Sequence, residues 1–189
     1  MTRIIIIDNY DSFTYNLVHI IKELGFEIDV FRNDKISVDE VAGYDKIILS
    51  PGPGIPDEAG ILKSVVKQLG SSKSILGVCL GHQGIAEVYG AELFNLPSVL
   101  HGVTSQLQVI NAQEKLFRTL PVNFNVTHYH SWAVKAENIP SELEVTAVNN
   151  EGLVMAIAHK TLDVRGVQFH PESIMTEHGK AIMKNWITQ

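Results

Sequence analysis

Gly77-Val78-Cys79-Leu80-Gly81 constrains this chain more than any other stretch of its 189 residues. The run before Cys79, Ser74 to Val78, reads as a buried strand. The run after it, Gly81, His82, Gln83, Ile85, Ala86 and Val88, reads as a helix. A cysteine between them, with a glycine two positions to either side, has the layout of a nucleophile elbow, a tight strand-to-helix turn that pushes one side chain outward. A side chain at either glycine would crowd so sharp a turn. The following helix aims its positive end at the sulfur, which favours thiolate over thiol.

A second signal lies far along the chain, at His170-Pro171-Glu172. Val164 to Phe169 reads as a strand, and the residue before a proline is biased to extended geometry, so His170 is expected to continue it. Alternation then puts His170 and Glu172 on one side. A carboxylate there can hold one imidazole nitrogen and aim the other at a sulfur, the nucleophile, base and orienter of covalent catalysis. A lone cysteine is ordinarily a small buried hydrophobe; the flanking glycines and the separate His-Pro-Glu set Cys79 apart. His128 and His130 alternate on an expected strand and raise the question of metal. With one cysteine and no Cys-x-x-Cys or His-Glu-x-x-His, no metal site is expected. His101, His159 and His178 read as ordinary surface or core histidines.

The elbow needs a sheet around it, and the pattern supplies one. Arg3 to Ile7, Ile28 to Phe31, Lys46 to Ser50 and Ser74 to Val78 are expected strands. Ser12 is placed to cap a helix with the stripe Phe13, Leu17, Ile20, Ile21 and Leu24, closed by Gly25. Asp57 is placed to cap another with Ile61, Leu62, Val65, Val66 and Leu69 inward and Gly70 at its end. This alternation implies parallel strands with right-handed crossovers. After about Glu92 the expected strands, Gln106–Ile110, Val126–Tyr129, Glu144–Val148, Leu153–Ala158 and Val164–Phe169, follow one another through short loops, with one helix near His178 to Ile187. The fold class is therefore α/β: one domain over residues 1–189, with a mixed, mostly parallel central sheet and flanking helices. A hydrophobic content of 45% and a charged content of 19% fit a soluble globular protein, and a net charge of −6 gives no reason to expect nucleic acid or an anionic membrane as partner. The apolar run Ile4 to Ile7 stops at Asp8, too short for a signal peptide, and the single cysteine suits a reducing compartment, so the expected location is the cytoplasm.

In such sheets ligands bind beyond the carboxyl ends of the parallel strands. Asp8-Asn9-Tyr10, Ser50-Pro51-Gly52-Pro53-Gly54 and Cys79 all follow strand ends there. The proline-glycine run could be no more than a stiff connector. Beside a reactive cysteine, its glycine amides can do more: the N–H of Gly54 could pair with that of Leu80 as an oxyanion hole.

Gly77 to Gln83 (GVCLGHQ), Ser50 to Gly54 (SPGPG) and Gly166 to Glu172 (GVQFHPE) resemble the triad-type, class I glutamine amidotransferases over essentially the whole chain. The opening Asp8 to Asn16 (DNYDSFTYN) is similar to a narrower branch, the small subunit of anthranilate synthase and its relative in aminodeoxychorismate synthase. The resemblance implies hydrolysis of L-glutamine by Cys79, His170 and Glu172, with Gly54 and Leu80 holding the oxyanion. By the same resemblance Gly52, Pro53, Gly54, Leu80, Gln83, Ser131 and Trp132 line the glutamine pocket. Two positions depart from the branch: Val103 stands where lysine is common, and Trp132 where leucine is common. Glycine at position 54 inclines the reading to anthranilate synthase, since cysteine there resembles some aminodeoxychorismate members.

Ammonia at neutral pH is mostly ammonium, which is no nucleophile, so making it is useful only beside a shielded acceptor site. This chain has little room for one. The expected partner is a larger, chorismate-binding synthase subunit, with Asn9, Tyr10, Ser12 and Phe13 as part of the contact. No cofactor is expected in this chain; magnesium is expected in the partner. A stand-alone cysteine hydrolase with the same triad is the reading from a different class.

Overall fold

Four consecutive isoleucines, Ile4 to Ile7, set the pattern of the core, and all four are buried. Side chains on a strand alternate, so Ile4 and Ile6 join one apolar layer and Ile5 and Ile7 the other. Such a strand is covered on both faces, the mark of a parallel sheet between helices. A computed structural model, which describes residues 2–188, shows how the rest of the chain supplies that cover.

The elements run β1 (Ile4–Asp8), α1 (Thr14–Glu23), β2 (Asp29–Arg32), α2 (Val38–Val41), β3 (Lys46–Leu49), α3 (Leu62–Leu69), β4 (Ser74–Val78), α4 (Leu80–Val88), β5 (Leu93–Val109), β6 (Asn123–Val134), β7 (Leu143–Asn149), β8 (Val154–His159), β9 (Val164–Val167) and α5 (Gly179–Thr188). Among the described residues the strands form one nine-stranded sheet in the order β2-β1-β3-β4-β9-β8-β7-β5-β6. The first five in that order are mutually parallel, and each later neighbour is antiparallel. Leu17 and Ile21 of α1 and Ile182 and Trp186 of α5 bury one face of the parallel part; Leu62 and Val65 of α3 and Ile85 of α4 bury the other. Each such side chain contributes about 1.5–3 kcal/mol when fully buried. No helix among the described residues is long and apolar enough to cross a membrane.

The mixed α/β sheet agrees with expectation; several boundaries do not. Ser12 is exposed and makes no cap: α1 begins at Thr14, and the turn before it is held by Asp8 and Asp11, whose carboxylates accept from Asp11 N, Thr14 Oγ1 and Phe13 N. Asp57 lies in a short 3-10 turn, Pro56–Glu58, and α3 starts later without a side-chain cap. A capping box at Ser37 and Glu40, absent from the expectation, starts α2. The largest difference is β5, which runs from Leu93 and not from Gln106. Pro97 and Gly102 interrupt its apolar pattern, and the register shifts near both. Bulged, largely exposed strands of this kind lose the period-two signal.

β5 and β6 form a long ribbon, and the sheet curls until β6, last in order, meets the residues that follow β9. His170 N donates to Thr127 O at 3.1 Å and Glu177 N to Asn125 O at 2.9 Å. That closure brings a second wall over the parallel strand ends.

Candidate active site

Strand order reverses around β1, which has β2 on one side and β3 on the other. At such a switch point the loops leaving neighbouring strands diverge and open a crevice at the carboxyl end of the sheet. Asn9, Gly52, Cys79 and Gln168 all leave strands on this edge. Asn9 is buried and braces it: its N–H donates to Ser50 Oγ at 2.8 Å, its Nδ2 to Ser50 O at 2.8 Å, and its Oδ1 accepts from Asn33 Nδ2 at 3.0 Å.

Cys79 sits between β4 and α4 with φ 52° and ψ −99°. A residue with a side chain rarely holds a positive φ, and such strain, about 1–3 kcal/mol, persists only where the surroundings enforce it. They do so here. Cys79 N donates to Val167 O at 2.9 Å, and Cys79 O accepts from Gln83 N at 3.0 Å. A Cβ at Gly77 would strike the Gly81 backbone, and one at Gly81 would strike the Leu49 carbonyl oxygen. The elbow is therefore locked by backbone contact on both sides, as its two glycines predict. Leu80 is the first residue of α4, so its N–H has no intrahelical acceptor.

His170 and Glu172 are buried, and Nδ1 of the imidazole lies 2.6 Å from Glu172 Oε1. The pairing is as expected, but its cause differs. β9 ends at Val167, and His170 opens a turn closed by Ser173 N to His170 O at 3.2 Å, so the turn and not strand alternation brings the two together. The turn is pinned by Thr176, whose hydroxyl donates to His170 O at 2.7 Å and accepts from Thr127 N at 3.0 Å. A carboxylate partner assigns the proton to Nδ1. Nε2 meets no partner in hydrogen-bond geometry among the described residues, but lies near enough to Cys79 for the two groups to interact. Burial, the largest influence, pulls the imidazole toward neutrality; Cys79 and Glu172 act the other way and together hold it up at about 10. Tyr129 packs edge-on against the ring at 5.1 Å between centroids, and Phe13 does the same at 6.1 Å.

A cavity of about 150 Å³ opens over Cys79. Gly52, Pro53, Gly54, Gln83, Ser131 and Trp132, six of the seven residues expected around glutamine, line it; Leu80 is buried beneath. Gly54 holds φ +75°, a conformation that favours glycine. Val99, Tyr129 and His130 also line the cavity and were missed by sequence reasoning. Of these, the expected strand Val126–Tyr129 contains Tyr129 alone, and His130 enters the sequence reading only with His128, in the question of metal. His130 Nδ1 donates to Trp132 O at 2.9 Å, and burial brings its pKa down to about 4. His128 pairs with Ser105 Oγ at 2.6 Å, and among the described residues no group of three His, Cys, Asp or Glu could hold a metal ion. Of the expected contact residues, Tyr10 and Ser12 are exposed and Phe13 is half-buried. Asn9 departs from the expectation, because its side chain is committed to the interior bonds above.

The comparison with known proteins agrees with this geometry. Residues 5–189 match the family model described as glutamine amidotransferase class-I. The chain is 47% identical over 186 residues to the aminodeoxychorismate/anthranilate synthase component 2 of Bacillus subtilis, covering 97% of this chain and 95% of the relative. It is 45% identical over 187 residues to anthranilate synthase component 2 of Cyanophora paradoxa, covering 97% of each. A solved structure from Thermoplasma acidophilum, provisionally described as one subunit of a GMP synthase, superposes with TM-score 0.89 at 29% identity over 100% of this chain and 93% of that one. With an elbow cysteine, a carboxylate-held histidine and a lined cavity at one sheet edge, and with a family match over nearly its whole length, this chain belongs to the class-I glutamine amidotransferases.

Proposed function

We propose that this chain is the glutamine amidotransferase subunit of an anthranilate synthase, hydrolysing L-glutamine and delivering ammonia to a chorismate-binding partner. The observation that carries the chemistry is the buried His170–Glu172 pair at 2.6 Å beside an elbow cysteine that lines a cavity. The names of the relatives carry the choice of partner.

Cys79 Sγ attacks the side-chain amide carbon of glutamine, and the carbonyl oxygen becomes an oxyanion held by the N–H groups of Gly54 and Leu80. His170, protonated at rest, gives its Nε2 proton to the leaving nitrogen. The C–N bond breaks, ammonia departs and a thioester remains. His170 then takes a proton from water, whose oxygen attacks the thioester; the C–S bond breaks and glutamate leaves. Glu172 keeps the ring aimed through both halves. Gly52, Pro53, Gln83, Ser131 and Trp132 hold the substrate. No cofactor enters these steps; magnesium belongs to the partner, and the complex works in the cytoplasm. Tyr10, Ser12 and Phe13 form part of the docking surface.

The test is to mix the purified chain with anthranilate synthase and aminodeoxychorismate synthase large subunits of its own organism, supply chorismate and glutamine, and identify the product. Anthranilate is expected, with glutaminase activity rising on complex formation. The relative from Bacillus subtilis bears both names, so formation of both products would identify a shared subunit. Aminodeoxychorismate alone would overturn the choice of partner, and glutaminase activity indifferent to either large subunit would favour a stand-alone hydrolase.

A further inference from the structure

Gln168 lies two residues before His170 and is fully buried. Its Nε2 is 3.5 Å from Cys79 Sγ, and its Oε1 accepts from Gln83 Nε2 at 3.2 Å. Gln83 Nε2 also donates to Trp132 O at 2.9 Å. The direction of this chain of amides is forced. A backbone carbonyl only accepts, so Gln83 must turn its NH2 toward Trp132. The same NH2 then requires the oxygen of Gln168, which leaves the NH2 of Gln168 for the sulfur. Reversing Gln168 would oppose two NH2 groups in the core, and a buried donor without an acceptor costs about 1–3 kcal/mol.

We propose that Gln168 donates an N–H to the Cys79 sulfur, and that Gln83 holds the Gln168 amide in the donating orientation. The proposal takes from the preceding section only that Cys79 is the nucleophile. A hydrogen bond to an ionised acceptor is about twice as strong as one to a neutral acceptor, so this contact favours the negatively charged sulfur. It acts before attack, on the resting nucleophile, and again when the thioester C–S bond breaks and the electron pair returns to sulfur. Other titratable groups lie around the same place: His170 with Glu172 behind it, His130 and Tyr129 on the cavity wall, and His128 and Asp11 near enough to the imidazole to act on its charge or feel it. The Gln168 amide is itself uncharged and offers its N–H to Sγ at every pH, whereas His170, which also interacts with Cys79, can lose its proton.

Cys79 is the only cysteine, so alkylation by iodoacetamide, followed by intact mass, reads this sulfur alone. Gln168→Met conserves volume and removes the donor. Gln168→Glu keeps an acceptor for Gln83 and offers the sulfur no hydrogen. On the rising limb of its rate–pH profile the first variant is expected to alkylate about tenfold more slowly, the limb being displaced to higher pH and the high-pH plateau not lowered; the second is expected to be slower still on that limb. A purely structural role would lower the rate at every pH. In the unsubstituted chain, the side-chain amide resonances of Gln168 are expected to move with the same pH midpoint as alkylation, a readout that needs no variant to fold. A Gln168→Met profile that overlays the original, or Gln168 amide resonances that stay still through the alkylation midpoint, would overturn the proposal. Failure of the amidotransferase reading is distinguishable: the chain would hydrolyse no glutamine with any synthase partner and still show Gln168-dependent alkylation.

Discussion

The two halves of the sheet are built differently and serve different ends. In the parallel half, β1, β3 and β4 are buried on both faces between helix pairs, and Cys79 hangs from the end of β4 beside the backbone that leads from β9 to His170. In the antiparallel half, β5 leaves Val99 67% and Val103 44% exposed. This half contributes the cavity wall: Tyr129, His130, Ser131 and Trp132 on β6 and Val99 on β5. The elbow cysteine and the buried histidine thus sit where backbone contacts over-determine position, and the cavity wall sits on a curled ribbon with an open side. Local stability follows buried contacts, so the ribbon is the softer part. The halves meet at His170, whose N–H donates to Thr127 O of β6.

If chemistry belongs to the parallel half, Cys79→Ala abolishes glutamine-dependent product formation while the synthase partner still works with added ammonium salt. Residual glutamine-dependent product would reassign the nucleophile. Next in size, His170→Ala removes the proton carrier and is expected to lower kcat by about 10²–10⁴-fold. Glu172→Gln loses orientation and a charge, and is expected to cost roughly one to two orders of magnitude less. Steady-state glutaminase assays of the assembled complex order the two, and equal losses would remove the distinction between carrier and orienter.

The wall can be weakened by itself. Trp132→Ala keeps the carbonyl that receives Gln83, so KM for glutamine is expected to rise about tenfold, with Cys79 alkylation by a small reagent changed less than about twofold. Loss of alkylation as well would show that the ribbon shapes the nucleophile and not only the substrate.

The smallest effect is acid softening. Burial depresses His128 and His130 to about 4 and His82 to about 3. Below an unfolded value of about 6.5 the unfolded chain takes up protons that the folded chain refuses, so stability falls as pH drops from about 6.5 toward 4. Two of these three histidines are on β6. Protection factors, with the intrinsic pH dependence of exchange divided out, are expected to fall between pH 7 and pH 5 at β6 amides before those of β1 and β4. An equal fall in both halves would break the comparison.

Much of this was legible in the residues themselves. Gly77, Cys79 and Gly81 specify the elbow because the glycines allow backbone contacts that any side chain would block. Ile4 to Ile7 specify a strand covered on both faces, and three separated motifs specify the family. These are local dictates of sterics and hydrophobic period. Other features were decided only by the tertiary structure. The turn that joins His170 to Glu172 depends on Thr127 and Thr176, partners distant in sequence. β5 is a strand because β6 pairs with it, since Pro97 and Gly102 erase its own pattern. Asn9 faces inward because Ser50 and Asn33 converge on it. Gln168 reaches sulfur only because Trp132, on the far wall, orients Gln83. A side-chain hydrogen bond has no signature along the chain until folding sets donor and acceptor within reach, and that is why the elbow around Cys79 could be read from the sequence and the amide beside its sulfur could not.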